Sequence, residues 1–330
     1  RGPRSVRATI RDPSFLIRFP VAVPDVSIIV VNYRTPDLTA RALDSASSAA
    51  GEFSVEELAV DNGSADGSAA AIRERRPQAQ VIELADNRGY AAGVNAGLAR
   101  SSGRAALLLN SDAFATGDAV ATLVRYLADH SRAGVVAPRL EWPDGSLQMN
   151  AYRRFPNLLT LFADFCLPLH PLGATPFHPH QLPPSRFDRP GRVAHVMGAA
   201  MLVRGEALDQ VGKFDERFFL YLEETEWQRR VADAGWEIHL EPRAQFTHAG
   251  QSSDADAAVV SDHYVESALR YYRSPAAARR AMLAGARISL WSAGIAMRAR
   301  PSDQRFPKLY QAFRRLLATL SQSQPPSARR

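Results

Sequence analysis

Over residues 27–33 the chain reads Ser-Ile-Ile-Val-Val-Asn-Tyr, a β-branched stretch bounded by Pro24 and Pro36. An apolar run this short, with almost no polar alternation, predicts a strand buried on both faces. Helical spacing follows from Pro36 to about Ala49, with the proline in the first turn, where a missing N–H costs little. The alternation then repeats. Strands are predicted over 57–61, 80–84, 105–110 and 134–138, and helices up to about Arg76, over 91–100 and over 117–130. Strands alternating with helices predict an α/β fold with a mostly parallel sheet covered on both faces. Ligands of such sheets sit beyond the carboxyl ends of the strands.

Beyond this core the pattern changes. Residues 143–192 are rich in proline, aromatics and histidine with little periodicity, which predicts a long loop region or lid. Strand character returns over 195–204, a helix is expected over 223–234 and a last strand over 236–242. Residues 1–24 form a basic N-terminal segment, and from about Asp254 to the end the chain reads as a basic helical extension.

Composition narrows the possibilities. The chain has 330 residues, 46% hydrophobic and 22% charged, enough for one large α/β domain and an appendage. Its net charge is +6, and of its 40 basic residues all but Lys213 and Lys308 are arginine, a bias that reads as coding preference rather than a nucleic-acid groove. No nucleic-acid partner is therefore expected, although a basic surface attracts anionic lipids and diphosphates. Cys166 is the sole cysteine, which excludes an intrachain disulfide and a cysteine zinc site. No apolar run approaches the roughly 20 residues that cross a bilayer, and no secretory signal pattern is present in these residues.

Four polar clusters fall where strands end: Asn32-Tyr33, Asp61-Asn-Gly-Ser64, Asn87-Arg-Gly89 and Asn110-Ser-Asp112. Each alone suits a turn; together they predict a polar rim along one sheet edge. Neither the glycine-rich dinucleotide loop nor the P-loop is present. A phosphate-binding sheet without them needs another way to neutralise a diphosphate, and Mg²⁺ or Mn²⁺ on a carboxylate provides it. Asp112, just past an apolar strand, suits that role.

The runs 27–33, Val60-Asp-Asn-Gly-Ser64 and Asn87-Arg-Gly-Tyr-Ala-Ala-Gly-Val-Asn95 resemble inverting family 2 glycosyltransferases of GT-A fold. So do Leu107-Leu-Leu-Asn-Ser-Asp112, Gly198-Ala-Ala-Met-Leu-Val-Arg204 and Phe214-Asp-Glu-Arg-Phe-Phe-Leu-Tyr221. The likeness covers about residues 25–253 and is greatest to the branch of bacterial rhamnosyltransferases that build O-antigen and other surface polysaccharides. It implies transfer of a sugar, rhamnose first, from a dTDP-, UDP- or GDP-sugar donor to a lipid-linked glycan or polysaccharide. It also implies a cytoplasmic location at the inner membrane surface.

The resemblance carries roles onto matching positions. Asn32 and Tyr33 lie where the nucleobase pocket begins, Asp61 where a carboxylate contacts base or ribose, and Asn87, Arg88 and Gly89 in a loop bordering nucleotide and sugar. Asp112 matches the last aspartate of the metal motif, whose first position is Asn110 here. His248 matches a histidine that completes the metal shell, although Thr247 stands where many members have a second histidine. Inversion requires a base that takes the acceptor's proton. Members have Glu-Asp where this chain has Glu223-Glu224, so Glu224 is the expected base and Glu223 the alternative. Three glutamates in a first helical turn also favour the helix dipole. Gly198 and Ala199 are expected on the acceptor side, and Trp227 in packing.

Two other classes stay open. The substitutions Asn110, Glu224 and Thr247 suit a nucleotide-sugar-binding homologue without catalysis. A sugar-phosphate nucleotidyltransferase shares the sheet, but carries a glycine- and arginine-rich loop where this chain has Tyr33-Arg-Thr-Pro-Asp37.

Overall fold

Val26 through Val30 are all essentially buried, and this run lies inside a twisted sheet with strands on either side. The computed structural model describes residues 23–166, 168–169, 187–250, 262–300, 303 and 305–322. Most of the basic N-terminal segment, much of the expected lid and the motif residues 251–253 lie outside them.

The first half of the chain runs β1 (Val26–Asn32), α1 (Pro36–Ser48), β2 (Val55–Asp61), α2 (Ser68–Arg75), β3 (Gln80–Glu83), α3 (Tyr90–Leu98) and β4 (Ala105–Asn110). There follow β5 (Ala113–Ala115), α4 (Ala119–Asp129), β6 (Ala133–Glu141), β7 (Tyr152–Arg153), α5 (Leu158–Asp164), β8 (Gly191–Val193), β9 (His195–Val196) and β10 (Ala200–Arg204). The remainder is α6 (Gly205–Val211), α7 (Glu223–Asp233), β11 (Glu237–His248), α8 (Asp262–Tyr271), α9 (Pro275–Ala299) and α10 (Arg305–Gln322).

The main sheet has the order β3-β2-β1-β4-β10-β6-β11-β5, with β8 beside β11. β3, β2, β1 and β4 are mutually parallel. β10 is antiparallel to both β4 and β6, so β6 and its parallel neighbour β11 share the direction of β1. The expected mostly parallel α/β architecture is what the chain forms.

Two expected strands differ in detail. The single strand over 195–204 is split, because Met197 donates its amide to Ala151 O and the chain turns before β10. The last strand does not stop at Pro242. Proline cannot donate to a ladder, but a register shift between Glu241 and Gln245 absorbs it, and pairing resumes to Thr247.

A second core joins Leu161 of α5, Phe165 just after it, Val265 of α8, Met282 of α9 and Phe313 of α10 to Phe218 and Leu222, just ahead of α7. The C-terminal helices thus pack on the segment that feeds the Glu223-Glu224 helix. Among the described residues no helix is long and apolar enough to cross a membrane.

Trp227, at the centre of α7, is fully buried and stacks on Phe214 with centroids 5.0 Å apart. Its indole N–H donates to Gly212 O at 2.8 Å. Trp227→Ala should lower the unfolding free energy by about 3–5 kcal/mol, read by urea denaturation. A change under about 1 kcal/mol would mean that this stack does not hold α7 in place.

Candidate active site

Strand register sets the floor of the site. Asn32 pairs with Asp61 across β1 and β2, and Val31 with Asn110 across β1 and β4. The polar strand ends therefore sit level along one sheet edge.

They do not all face outward. Asn32 is fully buried, its Nδ2 donating to Asp61 Oδ1 (2.7 Å) and Ser64 Oγ (3.2 Å). Its Oδ1 accepts from Thr35 N (3.1 Å) and Thr39 Oγ1 (3.0 Å). Asn32, expected where the nucleobase pocket begins, has no exposed surface and both ends of its amide engaged, so it braces the rim from beneath. Tyr33 does face outward at 42% exposure, with the Arg34 guanidinium 5.0 Å from its ring centroid. The Asp61 carboxylate is oriented through Oδ1, which receives Asn32 and the Ser64 hydroxyl.

Asn62 latches the 87–89 loop to this edge, its Nδ2 donating to Asn87 Oδ1 and Gly89 O, both at 3.0 Å. Gly89 has φ +89°, and a Cβ there would lie 2.3 Å from Phe219 O. Only glycine tolerates that approach and that backbone. Tyr90 N then donates to Phe219 O at 2.8 Å, and Arg88 reaches Glu216 at 2.7 Å. The loop is thereby clamped to the segment that precedes α7.

At the end of β4, Asp112 and His248 meet although 136 positions separate them in sequence. β11 pairs antiparallel with β5, His248 opposite Ala113, and Ala249 N donates to Asp112 O at 2.9 Å. His248 Nε2 then lies 3.2 Å from Asp112 Oδ1. On the ring's other side, Nδ1 is 3.0 Å from Gln148 Oε1, while Gln148 Nε2 donates to His248 O at 2.8 Å. Asn110 has its backbone N–H on Ala199 O at 2.9 Å.

This donor set fits a small divalent cation. A carboxylate and an imidazole nitrogen about 3 Å apart have the spacing of neighbouring ligands with bonds of about 2.1 Å. Among the described residues no group of three or more His, Cys, Asp or Glu side chains could hold a metal. Two protein ligands supplemented by substrate phosphates and water match the way Mg²⁺ and Mn²⁺ are commonly bound.

The two glutamates of α7 are unlike each other. Glu223 is 4% exposed, and its Oε2 has no hydrogen-bond partner among the described residues. Burial, and then the neighbouring Glu224 charge, hold its carboxyl well above the ordinary range. Glu224 is half-buried and packs on Gly198, where an added Cβ would come within 3.2 Å of its side chain. Gly198 and Ala199 are themselves buried. At Gly198, expected with Ala199 on the acceptor side, the missing Cβ leaves room for the Glu224 side chain.

One side chain ties the glutamates to Asp112. The Tyr90 phenol is pushed far up by burial and by the charges of Glu223, Glu224 and Asp112. Glu223, Glu224 and Asp112 are thus all neighbours of the Tyr90 side chain. Tyr90 lay inside a motif but without an assigned role; Gln148, in the aperiodic stretch after β6, gave no local signal at all. Two surface concavities of about 470 and 480 Å³ lie elsewhere, one lined by Phe155, Arg192 and Trp236, the other by Asp37, Arg41 and Arg76.

The profile of the family described as Glycosyl transferase family 2 matches residues 27–211. The chain is 32% identical over 235 residues to the N-acetylglucosaminyl-diphospho-decaprenol L-rhamnosyltransferase of Mycobacterium tuberculosis, covering 67% of this chain and 75% of that one. It is 26% identical over 255 residues to the O-antigen biosynthesis protein RfbC of Myxococcus xanthus, covering 76% of this chain and 19% of that protein. In fold it is similar to the mannosyltransferase PcManGT of Pyrobaculum calidifontis, solved with GDP-Man and Mn²⁺. That likeness has a TM-score of 0.54 at 17% identity over 91% of this chain and 87% of the other. The rim, the sheet and the matched profile agree: this chain belongs to glycosyl transferase family 2 and has the GT-A fold.

Proposed function

We propose that this glycosyltransferase moves a hexose, rhamnose first among the candidates, from a nucleoside diphosphate to a lipid-linked or polysaccharide acceptor, inverting the anomeric carbon. The observation that carries the reading is the meeting of Asp112 and His248 at 3.2 Å beside the Glu223-Glu224 pair. The Mycobacterium tuberculosis relative is named for rhamnosyl transfer to a lipid-linked N-acetylglucosamine, which favours dTDP-rhamnose over UDP- and GDP-sugars as the first donor to try.

Asp112 and His248 would hold Mg²⁺ or Mn²⁺, which neutralises a bound diphosphate and stabilises the charge of the leaving group. Tyr33 offers an exposed aromatic face at the rim, and Asp61 a fixed carboxylate. Asn87, Arg88 and Gly89 border the donor, with Arg88 able to exchange its exposed partner Glu216 for phosphate at little cost. Glu224 takes the proton of the attacking hydroxyl, because it is the half-open member of the pair and an ionised carboxylate can accept one. Glu223, buried and with its carboxyl held above the ordinary range, is the alternative and less suited to that task.

Asp112→Ala should abolish sugar transfer with the fold intact, and Glu224→Gln should keep donor binding but lose turnover by at least about 100-fold. Transfer would be assayed with a panel of nucleotide sugars and extracted lipid-linked glycan. Undiminished transfer by the Asp112 variant, or in EDTA, would refute metal assistance. Nucleotide binding by the wild type without transfer to any acceptor would favour a non-catalytic homologue.

Glu223→Gln gives a separate test through stability. A carboxyl whose pKa is raised in the folded state binds more protons folded than unfolded, so stability falls as pH rises from about 4.5 through the raised value. The glutamine variant should flatten that decline and be the more stable protein at neutral pH, by urea denaturation across pH 4.5–8, while retaining transfer. A parallel pH dependence in both proteins would contradict a neutral Glu223.

We also propose that the enzyme works at an anionic membrane surface. Ile288, Trp291 and Ile295 are 40%, 70% and 44% exposed along one face of α9. Arg287 and Arg298 are exposed near them, and no acidic residue occurs from 275 to 299. An apolar stripe with arginine flanks and an interfacial tryptophan suits the headgroup region of anionic lipid. Replacing the three apolar residues by serine should lower co-sedimentation with phosphatidylglycerol vesicles by at least about tenfold, given the apolar area lost. Unchanged sedimentation would exclude this face.

A further inference from the structure

We propose that Gln148 is a positioning residue that presents His248 to the cation in the form able to bind it. The proposal rests on the reading that Asp112 and His248 hold that cation.

Gln148 is fully buried, and its own backbone is fixed at both ends: its N–H donates to Leu140 O at 2.9 Å, and its carbonyl accepts from Ala151 N at 3.0 Å. Its side chain spends both polar atoms on one residue. Nε2 donates to His248 O at 2.8 Å, and Oε1 lies 3.0 Å from His248 Nδ1. A carbonyl oxygen can only accept, so the first bond decides which end of the amide faces the ring. Turning the amide over would set oxygen against oxygen. With Oε1 facing it, Nδ1 must carry a hydrogen.

The consequence falls on the other nitrogen. In a neutral imidazole with hydrogen on Nδ1, Nε2 carries a lone pair, and Nε2 is the atom 3.2 Å from Asp112 Oδ1. Two lone-pair donors then face each other, a repulsion relieved by a proton on Nε2, which makes an ion pair with Asp112, or by a divalent cation that displaces that proton. Gln148 therefore fixes ring orientation and tautomer together, as groups behind metal-binding histidines do. It also ties the turn after β6 to the end of β11, so that the ligand's main chain and ring are held by one side chain. Packing alone does not require this: an apolar side chain of the same length would fill the space without deciding the tautomer.

The test measures Mn²⁺ alone, by its free-ion EPR signal, on the full chain, alongside thermal melting. Gln148→Leu should bind Mn²⁺ about 10–100-fold more weakly than the wild type. Gln148→Glu keeps an acceptor for Nδ1 but sets its second oxygen against His248 O, so it should bind more tightly than the leucine variant though below wild type; Gln148→Met replaces the leucine variant if that one does not fold. Wild-type affinity in the apolar variant, with affinity lost in Asp112→Ala, would overturn the role of Gln148 and leave the cation reading standing. Equal loss in Gln148→Leu and Gln148→Glu would make the residue a packing element and also overturn it. If the wild type binds no Mn²⁺, or Asp112→Ala binds as well as wild type, the cation reading fails and this inference falls with it.

Discussion

The meeting of Asp112 and His248 depends on the short antiparallel pairing between β5 and β11. Three residues of each strand are in register, Phe246 with Ala115, Thr247 with Phe114 and His248 with Ala113. Backbone hydrogen bonds, not side-chain preference, therefore bring the histidine beside Asp112. Such a contact crosses 136 positions of chain, and the loop-closure entropy is met by the whole sheet rather than by the pair itself. Because β11 must pass Pro242 to get there, the register shift after Glu241 is part of the site's construction. Without it the strand would end short of the residues that matter.

The glutamate side is built on a different principle. Tyr221 and Leu222, the two residues ahead of α7, have φ of +69° and +64°, a region costing non-glycine residues about 1–3 kcal/mol each. Such backbone persists only where surrounding contacts over-determine it. Here Phe218 and Leu222 are buried with the C-terminal helices, and Ser267 Oγ of α8 donates to Leu220 O at 2.9 Å. Phe219 stacks on His263 with centroids 4.6 Å apart. The helical region after the sheet thus holds a strained turn in the conformation that aims Glu223 inward and Glu224 outward. Its contribution to the site is mechanical, whatever its outer face does at a membrane.

The parallel half of the sheet was legible because β1 and β4 must be apolar on both faces, and a run such as Ala105–Leu109 has few other solutions. Polar strand ends were legible for the same reason. What the residue types could not say was direction. Asn32 and Asp61 are both buried and bonded to each other, and Ser64, Thr35 and Thr39 close over the asparagine from contacts the sequence does not mark. That Gly198 also makes room for Glu224 was not visible from its motif. Gln148 was invisible, because its partners lie 100 positions away and no periodicity marks the turn that carries it. Motif position conveyed chemistry well; facing and second partners needed the tertiary contacts.

Charge balance connects the two halves. Asp112 and Glu224 must both be ionised for their proposed tasks, beside a donor that brings two phosphates of its own. Repulsion among them would be severe at a site partly removed from water. The chain's positive charge does little to help, since the arginines crowd its basic ends and Arg88 is already engaged with Glu216. Two features act against the excess. Burial raises the Glu223 pKa and so favours its uncharged form, and the proposed cation between Asp112 and His248 would offset the negative charge that remains. In the proposed site, a raised Glu223 pKa and a bound cation would complement each other. Either feature alone would leave the donor facing a net negative pocket, with no force to hold its diphosphate while the acceptor attacks.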